Sequence, residues 1–460
     1  MSEEKPGFGL SADVKSKLLN RLSAQMANRP AAGVAAVEAP APVSSRPALG
    51  HPSVLEEIAM LRRAGDALGL ESPFFRVNEG LPTPWSVIDG RRVLNFCAYN
   101  YLGLNGDPRV TAAANAAAER YGTSVSGSRI VSGERQVHRD LEAALAKVYQ
   151  ADDAIVLVNG HATNVTVISH LVGPGDAVIC DALSHNSIIQ GAQLAGAKRR
   201  SFLHNDLADL DRVLGEFGDT VKRRLVIVEG CYGMDGDAPD LAAMIPIIRR
   251  HRAHLMVDEA HGLGVLGERG LGVFEHCGVD PREVDVWMGT LSKTLATCGG
   301  FIAGSVEMVE YLRASAPGFL FSVGMPAPTA AASLEALRIM LAEPERMERL
   351  RTNGQVFVQA ARAAGLDVGE TLGRAIIPVI IGSSLRTTLV ADRLWKRGIA
   401  AQPILYPGVP ERSARLRFFV TSEHAPEDLR WAVSEVANAL AEVGQTTPQA
   451  LADLKTKLRK

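Results

Sequence analysis

Three short, largely apolar runs, at 154–158 (AIVLV), 255–257 (LMV) and 284–288 (VDVWM), each hand the chain directly to a cluster of polar and glycine residues. A half-exposed strand alternates apolar with polar positions, and runs this short do not make a helix. They read as strands buried on both faces of an α/β sheet, and such sheets carry their functional residues beyond the strands' carboxyl ends.

Three sets of residues occupy those ends. Asn159, Gly160 and His161 follow the first run, and the second ends in Asp258 with His261 three positions on, in VDEAHGLG (257–264). The third leads into Gly289, Thr290, Leu291, Ser292 and Lys293, which puts two hydroxyls beside an amine. An acid, an imidazole and an amine in this order suit pyridoxal 5′-phosphate (PLP). That cofactor needs a lysine for its aldehyde, a carboxylate to keep its pyridine nitrogen protonated and a donor beside its phenolic oxygen. Hydroxyls suit its phosphate. Taken singly, each piece is weak: an acid and a histidine at a strand end are often a satisfied turn, and a Ser-Lys pair says less. Gly262-x-Gly264-x-x-Gly267 also matches the dinucleotide pattern in letters. That fingerprint should open a helix, however, and here the glycines continue through Gly270 and Gly272 with no helical run between them.

Together with GGFIAG (299–304), the segments VDEAHGLGVLG and MGTLSK resemble the α-oxoamine synthases. This branch of the fold-type-I PLP enzymes includes serine palmitoyltransferase, 5-aminolevulinate synthase, 8-amino-7-oxononanoate synthase and 2-amino-3-ketobutyrate CoA ligase. The resemblance runs from about Phe74 to about Val443. It implies a large, mostly parallel sheet domain with helices on both faces and a smaller C-terminal α+β domain. It also implies that Lys293 bears PLP, that Asp258 and His261 serve it, and that His185, in DALSHNSIIQG (181–191), stacks over its ring. Asn159, Gly160 and His161 would cradle the phosphate where a helix begins, a place whose free N–H groups and dipole favour an anion, and Thr290 and Ser292 would add hydroxyls. Ser322, in FLFSVGMP (319–326), matches a position from which the family's second subunit reaches the phosphate, which implies a homodimer with shared active sites.

Substrate contacts carry over in the same way. NFCAYNYLGL (95–104) resembles the family's opening motif and supplies Tyr99 and Asn100; YGTSVSGSRIVSGERQVHRDLE (121–142) resembles its substrate loop and supplies Ser128 and Arg129. Arg417, in SARLRFFVTSEH (413–424), matches the arginine for the substrate carboxylate, to which a guanidinium offers a planar donor pair. One position departs. EGCYGMDGD (229–237) carries Gly233 where the family usually has a serine whose hydroxyl bonds the phenolic oxygen. A lost hydrogen bond to a charged group is worth about 1.5–3 kcal/mol, which would leave His261 carrying more of the load.

The implied reaction is a PLP-dependent decarboxylative condensation of an amino acid with an acyl thioester, on CoA or an acyl carrier protein, to an α-amino ketone. It is a step of lipid or secondary-metabolite biosynthesis, most like that of serine palmitoyltransferase. ILYPGVP (404–410) resembles the aminolevulinate synthase and ketobutyrate ligase versions, whereas AYNYLG and LSKTLATCGGFIAG lean towards serine palmitoyltransferase, so the amino acid stays open among glycine, alanine and serine. An aminotransferase would use the same lysine and aspartate; the substrate loop, SHNSI and the DEAH histidine favour condensation. A scaffold that kept the fold without the chemistry is the alternative of another class, and the presence of Lys293, Asp258, His185, His261 and Arg417 stands against it.

With 460 residues, 47% of them hydrophobic, and a formal charge of −2, the chain is expected to bury a large core and offers no basic surface for nucleic acid. Five cysteines without C-x-x-C spacing suggest neither a metal site nor a disulfide framework. No apolar run reaches the roughly 20 residues of a membrane helix, and the acidic start MSEEK is unlike a signal peptide, so a cytoplasmic enzyme is expected. Residues 1–50 read as an amphipathic helix (Leu10, Val14, Leu18, Leu22, Met26) with a linker from 29, and 51–100 as a helix at 54–68 and a hairpin turning at Asp89-Gly90. The large PLP-binding domain is expected at 101–340, the α+β domain at 341–443 and a polar tail at 444–460. The tethered stripe of residues 1–28 suggests a dock for an acyl carrier protein or assembly-line partner; folding back on its own dimer is the alternative.

Overall fold

The computed structural model describes residues 65–218 and 220–457, with a few isolated positions before residue 65, and side chains as far as Gly444. The helix expected over 1–28, the linker from 29 and most of the helix over 54–68 lie outside the described residues. The described chain forms two compact units. The larger holds residues 78–379 and 417–433, and the smaller holds 380–416, 434–457 and the described residues up to Val77.

In the larger unit, strands β1 (Trp85–Ile88) and β2 (Arg91–Asn95) form the expected hairpin, with Asp89 and Gly90 both at positive φ as a two-residue turn requires. The main sheet has seven strands: β3 (Asp153–Leu157), β4 (Ala177–Asp181), β5 (Lys198–Phe202), β6 (Arg224–Glu229), β7 (His254–Asp258), β8 (Val286–Thr290) and β9 (Gly300–Gly304). Their order is β3-β9-β8-β7-β6-β4-β5. Neighbours from β8 to β5 pair in parallel, while β9 runs antiparallel to both β3 and β8. The edge strand β5 exposes Lys198, Arg199 and Arg200, charges that discourage edge pairing.

Alternation along the strands splits the core in two. On β7, Leu255 and Val257 join one cluster and Met256 the other; on β6, Val226 and Val228 join the first while Leu225 and Ile227 join the second. The second face is covered by helices α1 (Gly160–Leu171), α2 (Asn186–Leu194) and α3 (Val306–Ser315). Period-2 geometry therefore places Glu229 and Asp258, the last residues of β6 and β7 and register partners of one another, on the face that α1 and α2 cover. The first face packs Tyr149 on Trp287, ring centroids 4.9 Å apart, with Phe274 and Phe301 beside them. Residues 327–363 form two helices, Ala327–Ala342 and Glu345–Ala363, divided at Pro344. The glycine-rich stretch 262–272 runs as turns and bends and meets only a five-residue helix, Val273–Cys277, well past Gly267, so it is not a dinucleotide fingerprint. Among the described residues no helix is long and apolar enough to cross a membrane.

Candidate active site

Six turns leave the carboxyl ends of the parallel strands and of β3, and together they hold most of the residues named from the sequence. Asp258 closes β7 and is buried; its Oδ1 accepts from the N–H of Ala260 at 2.9 Å and its Oδ2 from Asn164 Nδ2 at 2.8 Å. Asn164, on α1, also donates to Ser187 Oγ at 2.9 Å, and that hydroxyl lies 2.7 Å from His185 Nδ1. A continuous chain of polar contacts thus runs from Asp258 to His185. The N–H of His185 donates in turn to Glu229 Oε1 at 2.6 Å.

Lys293 stands on the turn after β8 with its Nζ 5.6 Å from the centre of the Tyr99 ring. Burial pulls its pKa below the usual lysine range although Asp258 and Glu229 oppose the shift. Burial and the neighbouring Asp258 push the Glu229 carboxyl up to about 8. Burial, with help from Lys293 and Arg417, holds His261 well below the ordinary histidine value, and burial lowers His185 against the pull of Asp258. Both imidazoles are therefore neutral near pH 7. His261 Nδ1 lies 2.8 Å from Tyr101 Oη, and its Nε2 faces Gly233.

The first turn of α1 makes the anion-binding feature. Asn159 caps the helix, its Oδ1 accepting from the N–H of Ala162 at 3.0 Å, which leaves the N–H groups of Gly160 and His161 outside the helical ladder. Thr290 Oγ1 is oriented by a 2.9 Å hydrogen bond to Gly299 O and lies 2.7 Å from Ser292 Oγ. Glycine is needed at 160 because a Cβ there would sit 2.7 Å from Thr290 Oγ1. Arg417 Nη1 donates to Gly233 O at 2.9 Å, and its guanidinium lies 4.6 Å from the centre of the Phe419 ring.

Asp258, His261, Lys293, His185, Tyr99, Arg417 and the Asn159–His161 turn with Thr290 and Ser292 are thus brought together. Other residues named from the sequence are engaged elsewhere. The Asn100 side chain holds its own turn, accepting from Asn105 N at 2.9 Å and donating to Asn105 O at 3.3 Å. It is the next residue, Tyr101, that reaches His261. Arg129 is buried between Glu134 (2.6 Å) and Glu142 (3.1 Å), so its fork is already filled by carboxylates. Ser128 offers its carbonyl to the N–H groups of Val131, Ser132 and Gly133, and Ser322 Oγ donates to Val323 O. Sequence reasoning missed Asn164, Ser187, Glu229 and Tyr101. Only Tyr101, Ser187 and Glu229 carried any signal, because they fall inside quoted motifs.

The residues present fit PLP. They offer a buried acid with its own donors, a desolvated lysine, a neutral imidazole at Gly233 and a helix start whose glycine leaves room for an anion. Asn164 Oδ1 is buried without a hydrogen-bond partner among the described residues.

The segment that holds these residues is also the one that matches known proteins. A family model described as aminotransferase class I and II matches residues 91–436. The 8-amino-7-oxononanoate synthase of Symbiobacterium thermophilum is 40% identical over 394 residues, covering 85% of this chain and 98% of that protein. The serine palmitoyltransferase of Sphingomonas wittichii superposes with a TM-score of 0.81 at 33% identity, covering 85% of this chain and 98% of that one. The serine palmitoyltransferase of S. paucimobilis with a bound PLP–myriocin aldimine does so with a TM-score of 0.82 at 31% identity and the same coverage. The chain therefore belongs to the aminotransferase class I and II family and, within it, to the α-oxoamine synthases, PLP-dependent enzymes of fold type I.

Proposed function

We propose that this protein condenses a small α-amino acid (glycine, alanine or serine) with an acyl thioester, releasing the thiol and carbon dioxide and leaving an α-amino ketone. The observation that carries the reading is the convergence of the Lys293 amine, the Asp258 carboxylate and the Arg417 guanidinium beyond the carboxyl ends of the parallel strands, with His185 and His261 beside them. PLP, when bound, supplies the electron sink that makes the amino acid's α-proton removable. Asp258, held by Asn164 and the N–H of Ala260, is the residue that would keep a proton on the ring nitrogen. The Asn159–His161 turn and the Thr290 and Ser292 hydroxyls would hold the phosphate, and His185 would cover the ring. Lys293 would hold the aldehyde, and its amine, whose pKa burial lowers, would be the group that accepts the amino acid's α-proton. Arg417 pairs with the amino acid's carboxylate.

The shared site of a homodimer belongs to the same proposal. Ile130, Val131 and Phe321, exposed by 61, 81 and 86%, lie on segments joined by the N–H of Gly324 donating to Gly127 O at 3.0 Å, with Ser322 between them. Such an apolar patch suits a second copy of the chain. Five free cysteines fit a reducing cytoplasm. Docking of an acyl carrier protein through residues 1–28 is tested by deleting residues 1–50.

The reaction is tested by thiol release from short and long acyl thioesters in the presence of glycine, alanine or serine. Lys293→Ala is expected to abolish the visible band that PLP gives with the wild type and to cut thiol release by at least about 10²-fold. A wild type that takes up no PLP, or one that passes its amino group to a 2-oxo acid and releases no thiol, overturns the proposal.

A further inference from the structure

His204 lies outside every motif used so far, on the loop after β5. Both its ring nitrogens meet carboxylates: Nδ1 is 2.9 Å from Asp181 Oδ1 and Nε2 is 2.8 Å from Asp237 Oδ2. A neutral imidazole has one donor nitrogen and one acceptor, so it would set a lone pair against one of the two acids; only an imidazolium donates to both. Burial lowers the pKa of this ring, but the hydrogen bonds to Asp181 and Asp237 outweigh it and raise the value to about 10. The titratable groups facing the ring are Asp181 from β4, with Asp237 and Tyr232 from the loop after β6, Tyr232 standing edge-on at 4.6 Å. Asn205 completes the bridge, its N–H donating to Asp181 Oδ2 at 3.0 Å and its Nδ2 to Asp237 Oδ2 at 2.9 Å.

Each carboxylate belongs to a turn that delivers part of the site. Asp181 closes β4, its Oδ1 accepting from Leu183 N at 2.8 Å and its carbonyl from Ser184 N at 3.1 Å, and so shapes the turn that presents His185. Asp237 accepts at its carbonyl from Tyr232 N at 2.9 Å, closing the loop whose Gly233 O anchors Arg417. One ring therefore ties the turn that carries His185 to the loop that anchors Arg417.

We propose that His204, as an imidazolium bridging Asp181 and Asp237, is a positioning residue that sets the spacing between His185 and Arg417 and with it the fit of the amino acid's carboxylate. The proposal rests on the condensation reading above for the identity of the substrate.

The test uses His204→Gln, Asp237→Asn and the double variant. In His204→Gln the two acids lose the ring that bridges them and face each other across an amide. The expected result is a KM for the amino acid raised about 10-fold or more with kcat within about 3-fold, since a small misplacement of binding groups alone can cost up to about 10²-fold. The double variant removes one of those charges and is expected to recover much of the KM. In cofactor-free wild type labelled with ¹⁵N-histidine, one histidine other than a surface residue should remain doubly protonated at about pH 8, where an ordinary imidazole is neutral, and its signal should vanish in His204→Gln. A wild-type KM in His204→Gln, no recovery in the double variant, or a neutral His204 at that pH each overturns the bridge. If His204→Gln does not fold, Asp237→Asn is read by the same measures. Should the wild type show no spectral response to any amino acid, the condensation reading fails by itself, and the nitrogen spectrum still decides whether the bridge exists.

Discussion

Gly233 leaves no vacant place for the serine that its motif leads one to expect. A Cβ at this position would lie 2.6 Å from His261 Nε2 and 3.0 Å from its Cδ2. Gly233→Ser therefore displaces the imidazole before its hydroxyl can contribute, and PLP is expected to bind about tenfold more weakly, equivalent to ~1.4 kcal/mol. Spectral titration of the apoprotein checks this; binding as tight as in the wild type would show that His261 moves at no cost. Glu259, next to Asp258, makes a second residue-level prediction. Its carboxyl is buried, Oε1 accepts from Val273 N at 2.7 Å, and Oε2 has no partner among the described residues. Burial raises its pKa from 4.5 to about 8. The folded chain then holds a proton that the unfolded chain has released, so this group lowers stability as pH rises from about 4.5 to about 8. Glu259→Gln should flatten part of that decline in melting temperature, while Glu229, also raised to about 8, and His204, raised to about 10, continue to contribute to it.

The element proposed to hold the phosphate is the start of α1, where a cap, a glycine and a strand hydroxyl meet. Gly160→Ala places a methyl 2.7 Å from Thr290 Oγ1 and 3.1 Å from Thr290 Cβ. The expected effect is weaker PLP binding with nearly unchanged far-ultraviolet circular dichroism, because alanine favours a helix; equal loss of both would mean that the turn has collapsed. Elements of this kind also explain what the sequence could and could not disclose. Asp258 and Lys293 were legible because each follows an apolar run and so had to emerge at a strand's carboxyl end. Asn164 was not, since it lies within an unremarkable helical stretch and its meaning comes from Asp258, 94 positions away. His204 was hidden for the same reason, as both its acids come from other strands' turns. Arg129 shows the converse failure: it lies in a substrate-loop motif, yet Glu134 and Glu142 already occupy its guanidinium. A motif reports residue type and order, whereas ion-pair partners are fixed only by packing.

At the scale of the whole molecule, the apolar residues Ile130, Val131 and Phe321 carry the assembly prediction. Phe321→Asp puts a charge on this patch and is expected to shift the protein to a monomer in sedimentation, with loss of thiol release; a dimer of full activity would place the interface elsewhere. The arrangement of the main sheet has a consequence for how the protein is made. Strand β9 separates β3 from β8 in space, although it is the last of the seven to be synthesised, and it brings Gly300 against the phosphate turn, where a Cβ would lie 2.8 Å from Gly160 Cα. Until residues 300–304 have left the ribosome, the Asn159–His161 turn has no neighbour strand joining it to the turn that bears Lys293. Pairings that span this much chain are slow to form and leave strand edges open meanwhile. A nascent chain ending before β9 should therefore be a client of chaperones, and its cofactor can be captured only after the last strand is inserted.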